Sequence, residues 1–246
     1  MWTPDALLSE THAWKSDVWR AVESQAKVST MRLTETLAEQ QLLEDILERS
    51  KPPIPPECRG LHFLLATPFR YRPPYGSRFR RPDGREGVFY AAEAVETAIA
   101  ETSFYKFLFF VVEAPGAKLP ARAVEHTAFS VRCATALTLT LCAPPLDRDA
   151  LLWRHPVDYA PCQGLADEAR QASIEVIRYA SVRDPRGGTN CALLAPGAFA
   201  EPEPKVVQTW HIQPSVVSVR ARCENPPLSL EFQREDWSND PRLAGR

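Results

Sequence analysis

The chain has no excess of charge of either sign: 29 Lys and Arg against 31 Asp and Glu leave a formal net charge of -2 over 246 residues. Proteins that track a long polyanion are more often basic overall, so this balance argues against a nucleic-acid duplex as partner. Long apolar runs are missing too. The longest, FLFFVV at Phe107 to Val112, is far too short to span a bilayer. The amino-terminal MWTPDALLSETHAW lacks the basic and apolar regions of a secretory signal, so a soluble, cytoplasmic protein is expected. Six cysteines (Cys58, Cys133, Cys142, Cys162, Cys191, Cys223) include no C-x-x-C pair. That spacing argues against a zinc ribbon, and a chain of this length needs no disulfide staples, so buried reduced thiols are expected. There is also no G-x-x-x-x-G-K-[ST] phosphate loop, no G-x-G-x-x-G, no H-E-x-x-H and no G-x-S-x-G elbow. The five histidines stand alone in sequence, and no metal site is expected.

What is present reads as a globular chain, with 44% hydrophobic and 24% charged residues, long enough for one large core or one domain plus an extension. Residues 5 to 50 read as helix: Val18, Trp19 and Val22 share a face, and Leu33, Leu37, Leu43, Ile46 and Leu47 recur at helical spacing. KPPIPPE at Lys51 to Glu57 stops that pattern, because proline removes amide donors and pushes its predecessor out of the helical region. The expected organisation is therefore a helical amino-terminal extension over residues 1–56 and a second domain over 57–246.

Beyond the boundary the texture is short apolar runs with turn residues between them. LHFLLA (61–66), GVFYAA (87–92) and FLFFVVEA (107–114) read as strands, as do SIEVIRYASV, KVVQTWHI, SVVSVRAR and LSLEF. EAVETAIAETSFYK and LADEARQA read as helices. The class is α+β, with antiparallel or mixed pairing.

The chemistry concentrates in FRYRPPYGSRFRRPDGREG, Phe69 to Gly87, with six arginines, no lysine and four aromatics. Arginine offers a planar fork of donors that grips phosphate oxygens bidentately and stays charged at working pH. Interleaved rings can stack on a planar heterocycle. Together they point to a nucleotide bearing phosphates, and a solvated basic loop is the plain alternative. Glu101 stands in an otherwise small and apolar helical stretch, where a carboxylate is costly unless it is paired or faces a cavity. RYASVRDPRGGTNCAL runs an apolar strand into Ser181 and a turn rich in arginine and glycine, a place for an anion or ribose contact.

RYR at Arg70, GSRF at Gly76 to Phe79, GVFYAAEAVETAIAE ending at Glu101 and YASVRDPRGGTN containing Ser181 resemble the RES domain, over roughly Leu61 to Ile212. The family takes its name from an arginine, a glutamate and a serine, which Arg70, Glu101 and Ser181 match. The resemblance implies a diphtheria-toxin-like ADP-ribosyltransferase fold and the toxin component of a toxin–antitoxin pair that consumes NAD without a metal. It implies either cleavage to nicotinamide, with water or phosphate as acceptor, or transfer of ADP-ribose to a protein, in one branch a phosphoribosyl pyrophosphate synthetase. The implied partner is a DNA-binding, Xre-like helix-turn-helix antitoxin that covers the active site, with no direct contact of the toxin to nucleic acid and none to a membrane.

On this reading Glu101 meets the ribose and favours positive charge, and Arg70 and Arg78 hold the diphosphate. Tyr71 and Tyr90 line the nicotinamide or ribose pocket. Ser181 positions the nicotinamide ribose or its amide, and Asn190 makes a polar contact or braces its loop. Related sequences often carry an asparagine after the G-x-R-aromatic motif, where this chain has Arg80 and Arg81, so those two are open to contact with a protein target or the antitoxin. Arg72 and Arg85 receive no assignment. A non-enzymatic nucleotide-binding module on the same scaffold is the alternative from another class.

Overall fold

Among the described residues eight strands form one sheet, and five of them close on themselves. The computed structural model describes residues 2–24, 33–71, 73–82, 84, 86–114 and 116–244; Arg72 and Arg85 lie outside the described residues. In chain order the main elements are α1 (Pro4–Ser9), β1 (His12–Glu23), α2 (Leu37–Ser50), α3 (Phe63–Arg70), β2 (Phe89–Ala92) and α4 (Val95–Leu108). They continue as β3 (Val124–Thr140), α5 (Ala160–Gln171), β4 (Val176–Ala180), β5 (Thr189–Leu193), β6 (Val206–Pro214), β7 (Ser218–Cys223) and β8 (Leu228–Gln233). The strand order is β1-β2-β5-β4-β3-β6-β7-β8, with β1 also paired to β3, which closes the first five strands. Pairing is antiparallel except between β3 and β4. The α+β class with mixed pairing stands.

The amino-terminal region departs from the helix expected over residues 5 to 50. His12–Glu23 is a strand, in register with His126 to Thr138 of β3, and touches β2 at Trp19 opposite Ala92. A boundary at residue 56 therefore does not separate β1 from the sheet. The physical reason is that both faces of this strand are covered. Val18 is buried with Trp14 and Val22 against one core cluster, whereas Trp19 and Ala21 pack against another. Positions 14, 18 and 22 repeat at two strand periods, which is also close to one helical turn. The helical reading holds for α2, where Thr36 and Glu39 form a capping box.

Two apolar runs expected as strands are helical. LHFLLA runs into α3, whose first turn is capped by His62 accepting from Leu64 N at 3.2 Å. FLFFVVEA ends α4 and continues as a π-helical turn, Phe109–Glu113. Its apolar character comes from burial: Phe104, Phe107 and Leu108 of α4 pack beneath Trp210, Val219 and Phe232 of the β6–β8 extension. A second cluster joins α5 to the closed strands through Cys162, Leu165, Ala169, Leu139, Ile177 and Tyr179. The six cysteines are free, five of them buried and Cys142 exposed. Among the described residues no helix is long and apolar enough to cross a membrane.

β1 is tied to its neighbours by charge as well as by backbone pairing. Asp17 pairs with Arg132, its direct cross-strand partner, and accepts from Lys205 Nζ at 2.9 Å. Hydrogen bonds from Arg132 and Lys205 hold the Asp17 carboxyl down at about 2, below its ordinary 3.8. A carboxyl whose folded pKa is lowered stabilises the fold above its unfolded pKa and loses that contribution as pH falls. Asp17→Asn is expected to flatten the loss of stability between pH 4 and pH 2 in acid-titrated thermal melts. Equal steepness in variant and wild type would remove Asp17 from the acid response.

Candidate active site

Arg78 and Arg80 stand on a turn held from two sides. Ser77 and Arg80 exchange backbone hydrogen bonds, Ser77 N to Arg80 O at 2.8 Å and Arg80 N to Ser77 O at 3.2 Å. From β2, the Tyr90 hydroxyl accepts from the Phe79 amide at 2.9 Å and lies 2.8 Å from Ser77 Oγ. From α5, Gln163 Nε2 donates to the Ser77 and Arg80 carbonyls at 3.0 and 3.1 Å, and Arg170 Nη2 donates to the Phe79 carbonyl at 2.9 Å. Turn carbonyls that burial would otherwise leave unpaired are thus satisfied, and the two arginines are fixed with them. Both line a cavity of about 1000 Å³.

Glu101, on α4, lines the same cavity. Its Oε1 accepts from Ser181 Oγ at 2.7 Å and from Asn190 Nδ2 at 2.5 Å. Ser181 sits just past β4, and its hydroxyl oxygen also accepts from the amides of Arg183 at 3.1 Å and Asp184 at 3.0 Å. With both acceptor sites in use, the one hydroxyl proton is committed to Glu101. Ser181, only 4% exposed, therefore orients the carboxylate. Among the described residues Glu101 Oε2 has no donor. The loop after Ser181 is fastened to α4 where Thr97 donates to Asp184 at 2.7 Å. Gly188 permits that approach, since a Cβ there would lie 2.0 Å from Thr97 Oγ1.

The arginines divide by whether a carboxylate lies within ion-pair distance. Arg81, Arg170, Arg178, Arg183, Arg186 and Arg242 each have one within ion-pair distance. Arg20, Arg78 and Arg80 have none among the described residues, and all three line the cavity. Arg78 donates to the Trp153 carbonyl at 2.7 Å and lies 4.8 Å from the Tyr159 ring centroid. Arg20, from β1, donates to the Tyr90 carbonyl at 2.7 Å and lies over Phe89 at 5.0 Å. Burial drives the Arg20 pKa down to about 10, and Tyr90 opposes this only in part. For Arg20, a cation drawn partly out of water without a counter-charge, an arriving anion would offset that cost. The cavity thus brings the oriented Glu101 carboxylate together with three guanidiniums that have no carboxylate partner among the described residues.

Of the residues expected at the site, the structure brings Glu101, Ser181, Asn190, Arg78 and Tyr90 together, and Tyr71 borders the cavity. Arg70 stands apart, which corrects the expected Arg70, Glu101 and Ser181 constellation. It lies in the last turn of α3, where Nη1 is 2.8 Å from Glu48 Oε1 and Nε donates to the Pro52 carbonyl at 2.6 Å. Its guanidinium is held there by a carboxylate that it shares with Lys51, and it lines a neighbouring groove with the Pro52–Glu57 segment. Arg81 pairs with Asp167 on the surface. Sequence reasoning missed Arg20, Tyr159 and Tyr179. Arg20 had a usable signal, because it interrupts the apolar stretch Val18 to Val22 as Glu101 interrupts its own. The two tyrosines carried none. Among the described residues no group of three or more His, Cys, Asp or Glu side chains could hold a metal ion.

A protein-family model described as the RES domain matches residues 54–215. That span contains Arg78, Tyr90, Glu101, Ser181 and Asn190, whereas Arg20 and Arg242 fall outside it. No curated protein matches the chain. A chain in the crystal structure of the M. tuberculosis MbcT–MbcA toxin–antitoxin complex is similar, with 14% identity, a TM-score of 0.46, and coverage of 83% of this chain and 87% of that one. The family match takes in more than half of the sequence, including the arginine turn, the carboxylate and the loop that orients it: the chain belongs to the RES domain family.

Proposed function

We propose that this protein cleaves NAD at the bond between nicotinamide and ribose, acting in the cytoplasm as the toxin of a toxin–antitoxin pair. The observation that carries the reading is the oriented Glu101 carboxylate in a cavity shared with Arg20, Arg78 and Arg80, which lack carboxylate partners among the described residues. A dinucleotide supplies both complements: a diphosphate for the guanidiniums, and a ribose whose anomeric carbon becomes positive as the bond to nicotinamide breaks. We read the closed strands as the scaffold of an ADP-ribosyltransferase-like fold, with an Xre-like antitoxin as the partner that covers the cavity.

In the reaction the electron pair of the N-glycosidic bond leaves with nicotinamide, which departs neutral. The ribose passes through an oxocarbenium-like state, as in glycoside hydrolysis. Glu101 Oε2, without a donor among the described residues, is the atom available to bond the ribose hydroxyls and stabilise that charge. Ser181 and Asn190 hold the carboxylate through Oε1, so its orientation is set before substrate arrives. Arg20, Arg78 and Arg80 neutralise the diphosphate, with the Tyr159 and Tyr179 rings beside Arg78. An acceptor oxygen then bonds to the anomeric carbon and releases its proton.

A second reading, transfer of ADP-ribose to a protein, draws on the groove that holds Arg70. Tyr71 and Pro73 border both that groove and the cavity, so a macromolecular acceptor has a surface leading to the reacting carbon. NAD labelled in its ADP-ribose part separates the readings. Label in free ADP-ribose, or in its phosphate ester, is the expected result; label retained on a protein establishes transfer, and intact NAD overturns both.

A further inference from the structure

The carboxy-terminal segment, outside the family match, forms part of the cavity wall. After β8 the chain makes a 3-10 turn, Arg234–Trp237, whose tryptophan is fully buried. Trp237 lies 5.4 Å from Phe104 and from Phe107 of α4, and its Nε1 donates to the Arg183 carbonyl at 2.9 Å. Leu243 O accepts from Arg234 Nη2 at 3.1 Å, which ties the end of the segment to its start. These contacts place Asp240, fully buried, between two arginines that line the cavity. Asp240 is 2.6 Å from Arg183 Nη1, and it accepts from Arg242 Nε at 3.0 Å and Nη2 at 2.8 Å.

Two guanidiniums share one carboxylate, which leaves one positive charge over. Arg183 is enclosed: its side chain is 1% exposed, and Nη2 donates to the Pro156 carbonyl at 2.5 Å. Arg242 is 30% exposed, and among the described residues its Nη1 has no partner. Phe104 lies beneath both, 4.0 Å from Arg183 and 5.4 Å from Arg242. Despite burial, hydrogen bonds from Arg242 and the charge of both arginines keep the Asp240 carboxyl below the usual range, so it remains ionised and continues to aim Arg242.

We propose that Arg242 binds a phosphoryl group in the cavity and that Asp240 is its positioning residue. This subsite deepens the NAD reading and rests on it for the identity of the group, which belongs either to the dinucleotide diphosphate or to an orthophosphate that attacks as acceptor. The carboxy-terminal segment is then a working part of the site as well as a brace for it.

The test is calorimetric binding of ADP-ribose, orthophosphate and nicotinamide riboside to wild type, Arg242→Gln, Arg242→Lys and Asp240→Asn, with thermal melts confirming that each variant is folded. Arg242→Gln is expected to weaken a phosphoryl ligand by about 10- to 100-fold, the range for a hydrogen bond to a charged group. Nicotinamide riboside should be unaffected, and Arg242→Lys should recover part of the loss. Asp240→Asn should give an intermediate loss, with KM for NAD raised more than kcat is lowered. Weakened ADP-ribose assigns the diphosphate; weakened orthophosphate alone assigns the acceptor. Unchanged affinity for both, no phosphoryl binding by wild type, or an equal loss of nicotinamide riboside overturns the subsite. Arg242-dependent phosphoryl binding by a protein that releases no nicotinamide keeps the subsite and removes the NAD reading. Nicotinamide release with Arg242→Gln indifferent does the reverse.

Discussion

Glu101→Gln is expected to leave the fold and NAD binding nearly intact while lowering nicotinamide release by roughly 10²- to 10³-fold, the usual loss for a single electrostatic contact made in the transition state. The substitution keeps the shape of the side chain and an oxygen able to accept from Ser181 Oγ and Asn190 Nδ2, now 2.7 and 2.5 Å from Oε1. It removes the charge. Because that charge answers a positive charge found only as the glycosidic bond breaks, kcat should fall far more than KM rises. Steady-state kinetics with thermal melts on the same preparations separate this from misfolding. Unchanged turnover would remove Glu101 from the chemistry and favour a non-enzymatic nucleotide-binding module.

Arg20→Met is expected to reduce kcat/KM for NAD by about 10²-fold, as for the loss of a buried charge-assisted contact, and yet to leave stability unchanged or raised by on the order of 1 kcal/mol. The opposite signs follow from its surroundings. The native guanidinium is half-buried, with a carbonyl and an aromatic ring for company and no carboxylate among the described residues. Folding lowers its pKa from 12.5 to about 10, so the fold disfavours the charged form. For a base shifted down, that cost is fully present at neutral pH and relieved as pH rises through the interval between the two values. Methionine fills similar length without the charge. Chemical denaturation and NAD kinetics on one variant suffice as the check. A stability loss above about 2 kcal/mol with kinetics intact would make Arg20 an ordinary structural arginine.

Legibility in the sequence followed how local each signal was. Glu101 could be found because a carboxylate in a small, apolar helical stretch needs a reason, and the Ser77–Arg80 turn because its residues are consecutive. The β6, β7 and β8 strands alternate cleanly enough to be read. β1 was not, because both its faces are covered and its apolar residues fall at positions that satisfy a helix equally well. That one error hid Arg20, since an arginine on a supposed helical extension gives no reason to look for it in a cavity. Arg70 was misplaced for the complementary reason. Tyr71, next to it in sequence, borders the cavity, but α3 carries the Arg70 side chain to Glu48 and Pro52, which only the packing of α2 and the proline segment sets. Ser181 is legible as a candidate by its place after a strand, but the three hydrogen bonds that turn its hydroxyl toward Glu101 are set only by the fold.

The proposed reaction is cleavage of NAD at the nicotinamide–ribose bond. Mass spectrometry of the products after incubation of the purified protein with NAD, with and without phosphate, tests it most directly. Nicotinamide in equal amount with ADP-ribose or its phosphate ester, dependent on Glu101, is the expected result. Intact NAD under both conditions, with candidate protein acceptors also present, would contradict it.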